Sequence, residues 1–301
     1  MAMMPRATTT TSAATAAASS LRKRLCIVRH GQAVHNPRAE VARANGCSME
    51  EFVKIMREDD ALDADLTRLG REQARRRSAE LMFHNSSNNN KNNNTDNCLS
   101  SLDLVVSSPL SRALETADLI HPPPPTAAAA TTTTTTPKRV VFEAFREVNG
   151  DLLCAKRRSK TELQEKFPAW DFNDLRSEDD DSWTPSHIEK FEDAAKRGYQ
   201  GLCWLMERDE TSILLVSHGG TLWYTMTLHP LVLLRDERTA EKDATASTNN
   251  NKAVDARFDN CEARQYLLSW GELTGDDDTH DGSQQQQRRR QRPIVLTQLD
   301  S

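Results

Sequence analysis

Two histidines in this 301-residue chain stand in the same setting, an apolar run that stops at a His-Gly pair. Leu25-Cys26-Ile27-Val28 leads into Arg29-His30-Gly31, and Ser212-Ile213-Leu214-Leu215-Val216 leads into Ser217-His218-Gly219. Short β-branched runs of this kind read as buried strands, and open α/β sheets bind their ligands at the C-terminal ends of such strands. Arg-His-Gly alone recurs by chance, but two imidazoles delivered to one sheet edge define a single site. Arg112 joins them from the opening turn of a helix, where backbone N–H groups already favour anions. This set suits a phosphomonoester, which needs a nucleophile, a cage for its oxygens and an acid for the leaving group. His30 can attack phosphorus through a neutral nitrogen, and flanking cations would keep it neutral by lowering its pKa. Arg29 and Arg112 can clamp non-bridging oxygens with forked, charged hydrogen bonds that lysine makes less well. A protonated His218 would donate to the same phosphoryl group and to its transition state. Gly31 has no Cβ, which lets backbone and substrate come close.

These residues need strands and helices to hold them. After the first strand the chain predicts a helix near Pro37 and a second over 50–56, with Phe52, Ile55 and Met56 at helical spacing. Thr67 can cap a helix running from Arg68 to Phe83. Residues 102–108 form the second strand, and Pro109 suits the first turn of the helix that carries Arg112. A third strand over 138–142 leads to Glu147, just before an Asn149-Gly150 turn. A short helix spans 160–167. Residues 168–184, acidic with Trp170, Phe172 and Trp183, suggest a flap, and Pro185 opens a long helix to about Arg208. The Ser212–Val216 strand, a helix after Gly220 and an edge strand over 260–268 complete the order. Alternation of strands and helices predicts an α/β fold, a mainly parallel central sheet with helices on both faces.

Composition marks out the rest. Residues 1–20 are rich in Ala, Thr and Ser, and are expected to be disordered. One domain is expected over 21–270, with low-complexity insertions at 85–97, 121–137 and 236–259, followed by a mostly disordered polar tail over 271–301. A net charge of −5 argues against nucleic acid as a partner, and no apolar run approaches the ~18 residues of a membrane span. The six cysteines are scattered without a C-x-x-C pair, so they read as thiols in a reducing compartment, with no disulfide framework and no metal site. A cytoplasmic location follows. The alternative is an organelle, because residues 1–24 carry basic but no acidic groups, as transit peptides do.

Read together, five segments in this order resemble the histidine phosphatase superfamily, in its phosphoglycerate-mutase-like branch. They are Arg29-His30-Gly31 with Asn36; Leu66-Thr67 with Gly70, Gln73 and Ala74; Ser108-Pro109-Leu110-Ser111-Arg112-Ala113; Phe145-Arg146-Glu147; and Ser217-His218-Gly219. Cys154–Ser159 and Asn260-Cys261-Glu262 also look like a eukaryotic group of this branch whose members are mostly thought to be phosphatases. The resemblance implies a three-layer α/β/α fold, a phosphohistidine at His30, Glu147 as proton donor, and Asn36 and Gly219 beside the phosphoryl oxygens. It implies no cofactor, and a small phosphorylated metabolite or a phosphoprotein as substrate. Mutase-type transfer and a catalytically silent binding role are the alternatives. Lys156, Arg157 and Arg158 read either as a solvated basic turn or as the holder of a second anionic group on the substrate.

Overall fold

The computed structural model describes residues 22–83, 99, 101–124, 136–236, 256–272 and 292–299. Within them the strands are β1 (Arg22–Arg29), β2 (Leu104–Ser107), β3 (Lys138–Val141), β4 (Ser212–Ser217), β5 (Val232–Asp236), β6 (Ala263–Trp270) and β7 (Ile294–Gln298). The helices are α1 (Pro37–Ala44), α2 (Met49–Glu58), α3 (Arg68–Phe83), α4 (Ser111–Ile120), α5 (Lys160–Lys166), α6 (Phe191–Glu207) and α7 (Gly219–Leu228). The strands form one sheet in the order β3-β2-β4-β1-β6-β7-β5. β6 is antiparallel to both its neighbours and every other pairing is parallel, so six strands point one way.

The alternation of each central strand sorts its side chains to two faces. Cys26, Val28, Val105, Leu214 and Val216 pack on one side with Ala113, Leu114 and Ala117 of α4. Leu25, Ile27, Leu104, Val106, Ile213 and Leu215 pack on the other with Tyr199, Leu202 and Leu205 of α6 and Leu222 and Met226 of α7. The result is the expected three-layer α/β arrangement. The register pairs Arg29 with Ser217 across β1 and β4, which brings the two histidines that follow these strands to adjacent positions.

Several boundaries differ from the sequence reading. Ile294–Gln298, inside the expected tail, is β7, with β6 and β5 on its two sides. The 260–268 strand is consequently interior and not an edge. Ala256 and Phe258, assigned to an insertion, are buried in the core. The expected flap is also packed: Trp170, Phe172 and Leu175 lie in the α4-side core, and Asp171 bridges to Val140 beside the β3 edge. The long helix starts at Phe191 and not at Pro185, and α4 starts at Ser111, two residues after Pro109. Thr67 does cap α3, its hydroxyl accepting the Gly70 N–H at 3.0 Å. Residues 1–20 and 85–97 fall outside the described residues, as does most of 121–137.

Candidate active site

β1 and β4 end side by side, and the His30 N–H continues their ladder by donating to the Ser217 carbonyl at 3.0 Å. The two rings consequently meet, with centroids 4.9 Å apart. His30 Nδ1 lies 2.7 Å from the Gly31 carbonyl, which can only accept, so Nδ1 carries the proton. The lone pair then sits on Nε2, where Arg112 Nε–H donates to it at 3.2 Å. Arg112 reaches this point from the first turn of α4 and is fixed by a 2.7 Å bond from Nη1 to the Cys154 carbonyl. His218 Nε2 lies 2.7 Å from the Ser108 hydroxyl. His30, Arg112 and His218 are 2%, 0% and 0% exposed, so their charges are poorly screened.

Burial first, and then the Arg112 charge, hold both imidazoles well below their usual pKa. His30 is therefore neutral near pH 7, as a nucleophile must be. The same causes disfavour the protonated His218 expected from sequence. Burial is the first reason, and Arg112, His30, His35 and Arg197 add to it by acting against a further positive charge. A neutral ring still donates if the Ser108 hydroxyl gives its proton to Nε2, which leaves the N–H on Nδ1.

Arg29 extends from the last residue of β1. Its Nη1 donates to the Phe258 carbonyl at 2.9 Å and its Nη2 to Glu40 Oε1 at 2.7 Å. Each Nη thus ties one of its two N–H groups to protein, and Nε is buried and without a hydrogen-bond partner among the described residues. Gly219 runs against this side chain, since a Cβ there would stand 3.1 Å from Arg29 Nε. Gly31 serves a different purpose from the one its position suggested: a Cβ on it would come within 2.5 Å of the Gly70 carbonyl oxygen, so it admits the α3 entrance and not a substrate.

Asn36 is buried, and its Oδ1 accepts the Ala33 N–H at 2.9 Å. That bond fixes the amide orientation, and Nδ2 then donates to His35 Nε2 at 3.1 Å. His35 is a residue that sequence reasoning passed over. It is 3% exposed, its pKa is well below the usual value through burial and then the charges of Arg112 and Arg29, and its Nδ1 has no partner among the described residues. With Nε2 accepting from Asn36, the proton of His35 sits on Nδ1. The only sequence signal was its place directly before Asn36. Arg29 Nε, His35 Nδ1 and His218 Nδ1 are thus three buried nitrogens of one site without partners. Buried donors of this kind are costly unless an acceptor meets them.

Glu147 stands at the start of α7. Its carboxylate accepts N–H groups from Val148 at 2.9 Å, Thr221 at 3.1 Å and Gly220 at 3.4 Å. A Cβ on Gly220 would strike Glu147 Oε1 at 2.5 Å, so glycine is required for this approach. The backbone that carries Glu147 is pinned from three sides. Ser217 Oγ donates to the Phe145 carbonyl at 2.8 Å, Thr221 Oγ1 to that of Arg146 at 2.6 Å, and Arg197 to those of Ala144, Arg146 and Glu147. Arg146 itself is an internal tie, paired with Asp180 at 2.6 Å and bound to the Ala155 carbonyl at 2.7 Å.

The basic triplet is not brought into this site. Arg157 is 4% exposed and donates to the carbonyls of Arg158, Ser177, Glu178 and Asp179, holding the 177–179 loop as a bundle of acceptors. Arg158 pairs with Asp63 at 3.3 Å and Asp65 at 3.4 Å, and Lys156 lies 4.7 Å over the Trp183 ring. Neither a solvated turn nor a substrate contact describes Arg157 and Arg158, whose guanidiniums already have protein partners. Among the described residues no group of His, Cys, Asp and Glu is disposed to hold a metal ion.

A parallel sheet with two histidines and two arginines at its C-terminal edge is the layout of a protein that handles phosphoryl groups. The model of the histidine phosphatase superfamily (branch 1) matches residues 97–231. Phosphoglycerate mutase-like protein 1 of Arabidopsis thaliana is 30% identical over 272 residues, covering 85% of this chain and 84% of that protein. A second Arabidopsis thaliana relative, phosphoglycerate mutase-like protein, is 29% identical over 66% of this chain and 72% of its own length. The probable phosphoglycerate mutase PMU1 of Saccharomyces cerevisiae is 26% identical over 66% and 70%. The chain belongs to the histidine phosphatase superfamily, in its phosphoglycerate-mutase-like branch.

Proposed function

We propose that this protein is a phosphomonoester hydrolase that works without a metal, through a phosphohistidine on His30. The observation that carries the reading is the placement of His30, with Nδ1 on the Gly31 carbonyl and Nε2 at Arg112, beside three buried nitrogens without hydrogen-bond partners among the described residues. A phosphoryl group entering here takes Arg112 Nε from His30 and offers oxygens to Arg29 Nε, His35 Nδ1 and His218 Nδ1. His30 Nε2 then attacks phosphorus, the P–O ester bond breaks, and the leaving oxygen takes a proton from Glu147. Water next attacks phosphorus as Glu147 accepts its proton, the P–N bond breaks, and inorganic phosphate leaves. Neutral imidazole donors and the Arg112 and Arg29 guanidiniums stabilise the equatorial oxygens in a site shielded from water.

Labelled substrate quenched in alkali should leave acid-labile, alkali-stable phosphate on the wild type and none on His30→Ala. Equal labelling of His30→Ala overturns the assignment. With chelator present, phosphate release from a panel of phosphomonoesters supports hydrolysis. Isomerised phosphoglycerate without release, when primed with bisphosphoglycerate, would instead indicate a mutase, and neither activity would leave a binding role.

A further inference from the structure

Arg112 donates to His30, but the helix that carries it begins without a cap of its own. Leu110, at the N-cap of α4, has no side-chain acceptor to offer, and the first turn contains no acid. The free N–H groups of a helix start need acceptors, and without them the first turn frays. A frayed first turn would blur the position of a side chain at its second residue.

The missing acceptor comes from a loop 48 residues earlier. Asp63 Oδ1 accepts the Ser111 N–H at 2.8 Å, and Oδ2 accepts the Ser111 hydroxyl at 2.6 Å. The same loop sets the far end of Arg112, whose Nη1 donates to the Cys154 carbonyl at 2.7 Å. Asp60 accepts the N–H groups of Leu153 at 2.6 Å and Cys154 at 2.8 Å, and the Asp63 N–H donates to the Leu153 carbonyl at 3.1 Å. Residues 60–63 thus fix both the backbone from which Arg112 grows and the carbonyl that orients its guanidinium.

Asp63 is difficult to hold in this place. It is fully buried, and its φ of 44° lies in the left-handed region. Burial pushes its carboxyl up to about 6, against the Ser111 bonds and the charges of Arg112 and Arg158. Unfavourable placements of this kind persist where the surrounding structure imposes them, and they cluster at functional sites. Among the described residues Arg158, 3.3 Å from Oδ2, is the one ion-pair partner of Asp63, and no ion pair joins Asp63 to Arg112. The carboxylate directs its oxygens to the residue before Arg112 and so orders the guanidinium without occupying it. A direct Asp–Arg fork would compete with phosphoryl oxygens for the same N–H groups.

We propose that Asp63 is the positioning residue of Arg112, holding its guanidinium at the phosphoryl site through Ser111, while Asp60 sets the carbonyl that receives Nη1. The effect on turnover rests on the hydrolase reading, whereas the effect on oxyanion binding does not.

The test is a double-mutant cycle of wild type, Asp63→Ala, Arg112→Ala and the double variant. It is read in kcat and KM for p-nitrophenyl phosphate and, without turnover, in orthovanadate affinity by calorimetry. Asp63→Ala should lower kcat/KM about ten- to hundredfold, mainly through kcat, and weaken vanadate. Once Arg112 is alanine it should change neither further. Asp63→Asn, which suits a positive φ and keeps an acceptor for the Ser111 N–H, should recover most of the loss. Additive effects of the two alanines, or a lowered Tm with both readouts unmoved, would make Asp63 a structural residue and overturn the inference. Should Asp63→Ala not fold, Asp60→Ala, at a half-buried position, enters the same cycle under the same criterion. No phosphate release by the wild type would sink the hydrolase reading while the vanadate arm still decides the positioning. No vanadate binding by the wild type overturns both.

Discussion

The two ends of the central parallel strands both bury cations, and they treat them in opposite ways. At the N-terminal end of β1, Lys23 is fully buried, and its ammonium donates to the Arg208 carbonyl and, at 2.9 Å, to that of Glu210. Glu210 closes the group by pairing with Arg208 and Lys138, each at 2.8 Å, while Asp103 accepts the N–H groups of Thr211 and Ser212. At the C-terminal end of the same strands Arg112 and three histidines are buried together with no ion pair to any of them among the described residues, and His35 Nδ1 and His218 Nδ1 have no hydrogen-bond partner there. Satisfied buried charge fixes a fold, while unsatisfied charge costs stability and is retained where a ligand completes it. The difference separates the end that holds the sheet together from the end that acts.

Three substitutions test that division. The largest effect is expected from Arg112→Ala, which removes the buried cation next to His30. Its kcat/KM should fall about a thousandfold, or ~4 kcal/mol of transition-state stabilisation. Its Tm should hold or rise, because a poorly solvated charge is gone. A fall in Tm without a fall in kcat/KM would place Arg112 with the structural cations. Next comes Glu210, whose pKa is pushed down to about 2 by Arg208 first, against an ordinary 4.5. A depressed carboxyl contributes stability that is complete above pH 4.5 and lost as pH falls towards 2, about 3 kcal/mol in all. Glu210→Gln should lower stability near neutrality, flatten this acid limb in denaturant titrations and leave turnover alone. The smallest is Arg157→Ala, which strips the 177–179 carbonyls of their donors. A loss of roughly 1–3 kcal/mol is expected, with the preference among phosphorylated substrates unmoved. A shifted preference would return Arg157 to the substrate.

The residues that could be read in advance share a trait: each lies on a local pattern. His30 and His218 end β-branched runs and Arg112 opens a helix, so residue type and position were visible together, whereas Glu147 precedes a turn and its role came only from what the resemblance implies. The fork ends of Arg29 were not, because Glu40 and Phe258 reach it from segments 11 and 229 residues away. His35 looked like one more loop residue until Ala33 fixed the Asn36 amide and Asn36 fixed the ring. Arg157 looked like part of a charge run because its acceptors are backbone carbonyls twenty residues on, and those have no sequence signature. β5 and β7 were missed for the same reason. Each is a five-residue run beside polar sequence, and only long-range pairing turns them into strands.

The placement of β7 also bears on when the protein can fold. The only strand that pairs with β5 among the described residues is β7, and β6 has β7 as one of its two neighbours. β5 is made before β7 by tens of residues, a delay of a few seconds at roughly 5–20 residues per second of synthesis. During that interval β1, β2, β3 and β4 can already associate, the edge with the two histidines included, while β5 waits with its backbone unpaired and β6 presents a bare flank. Such unpaired edges invite pairing with other chains. The most vulnerable interval for this sheet therefore falls between the synthesis of β5 and that of β7, on the side away from β3.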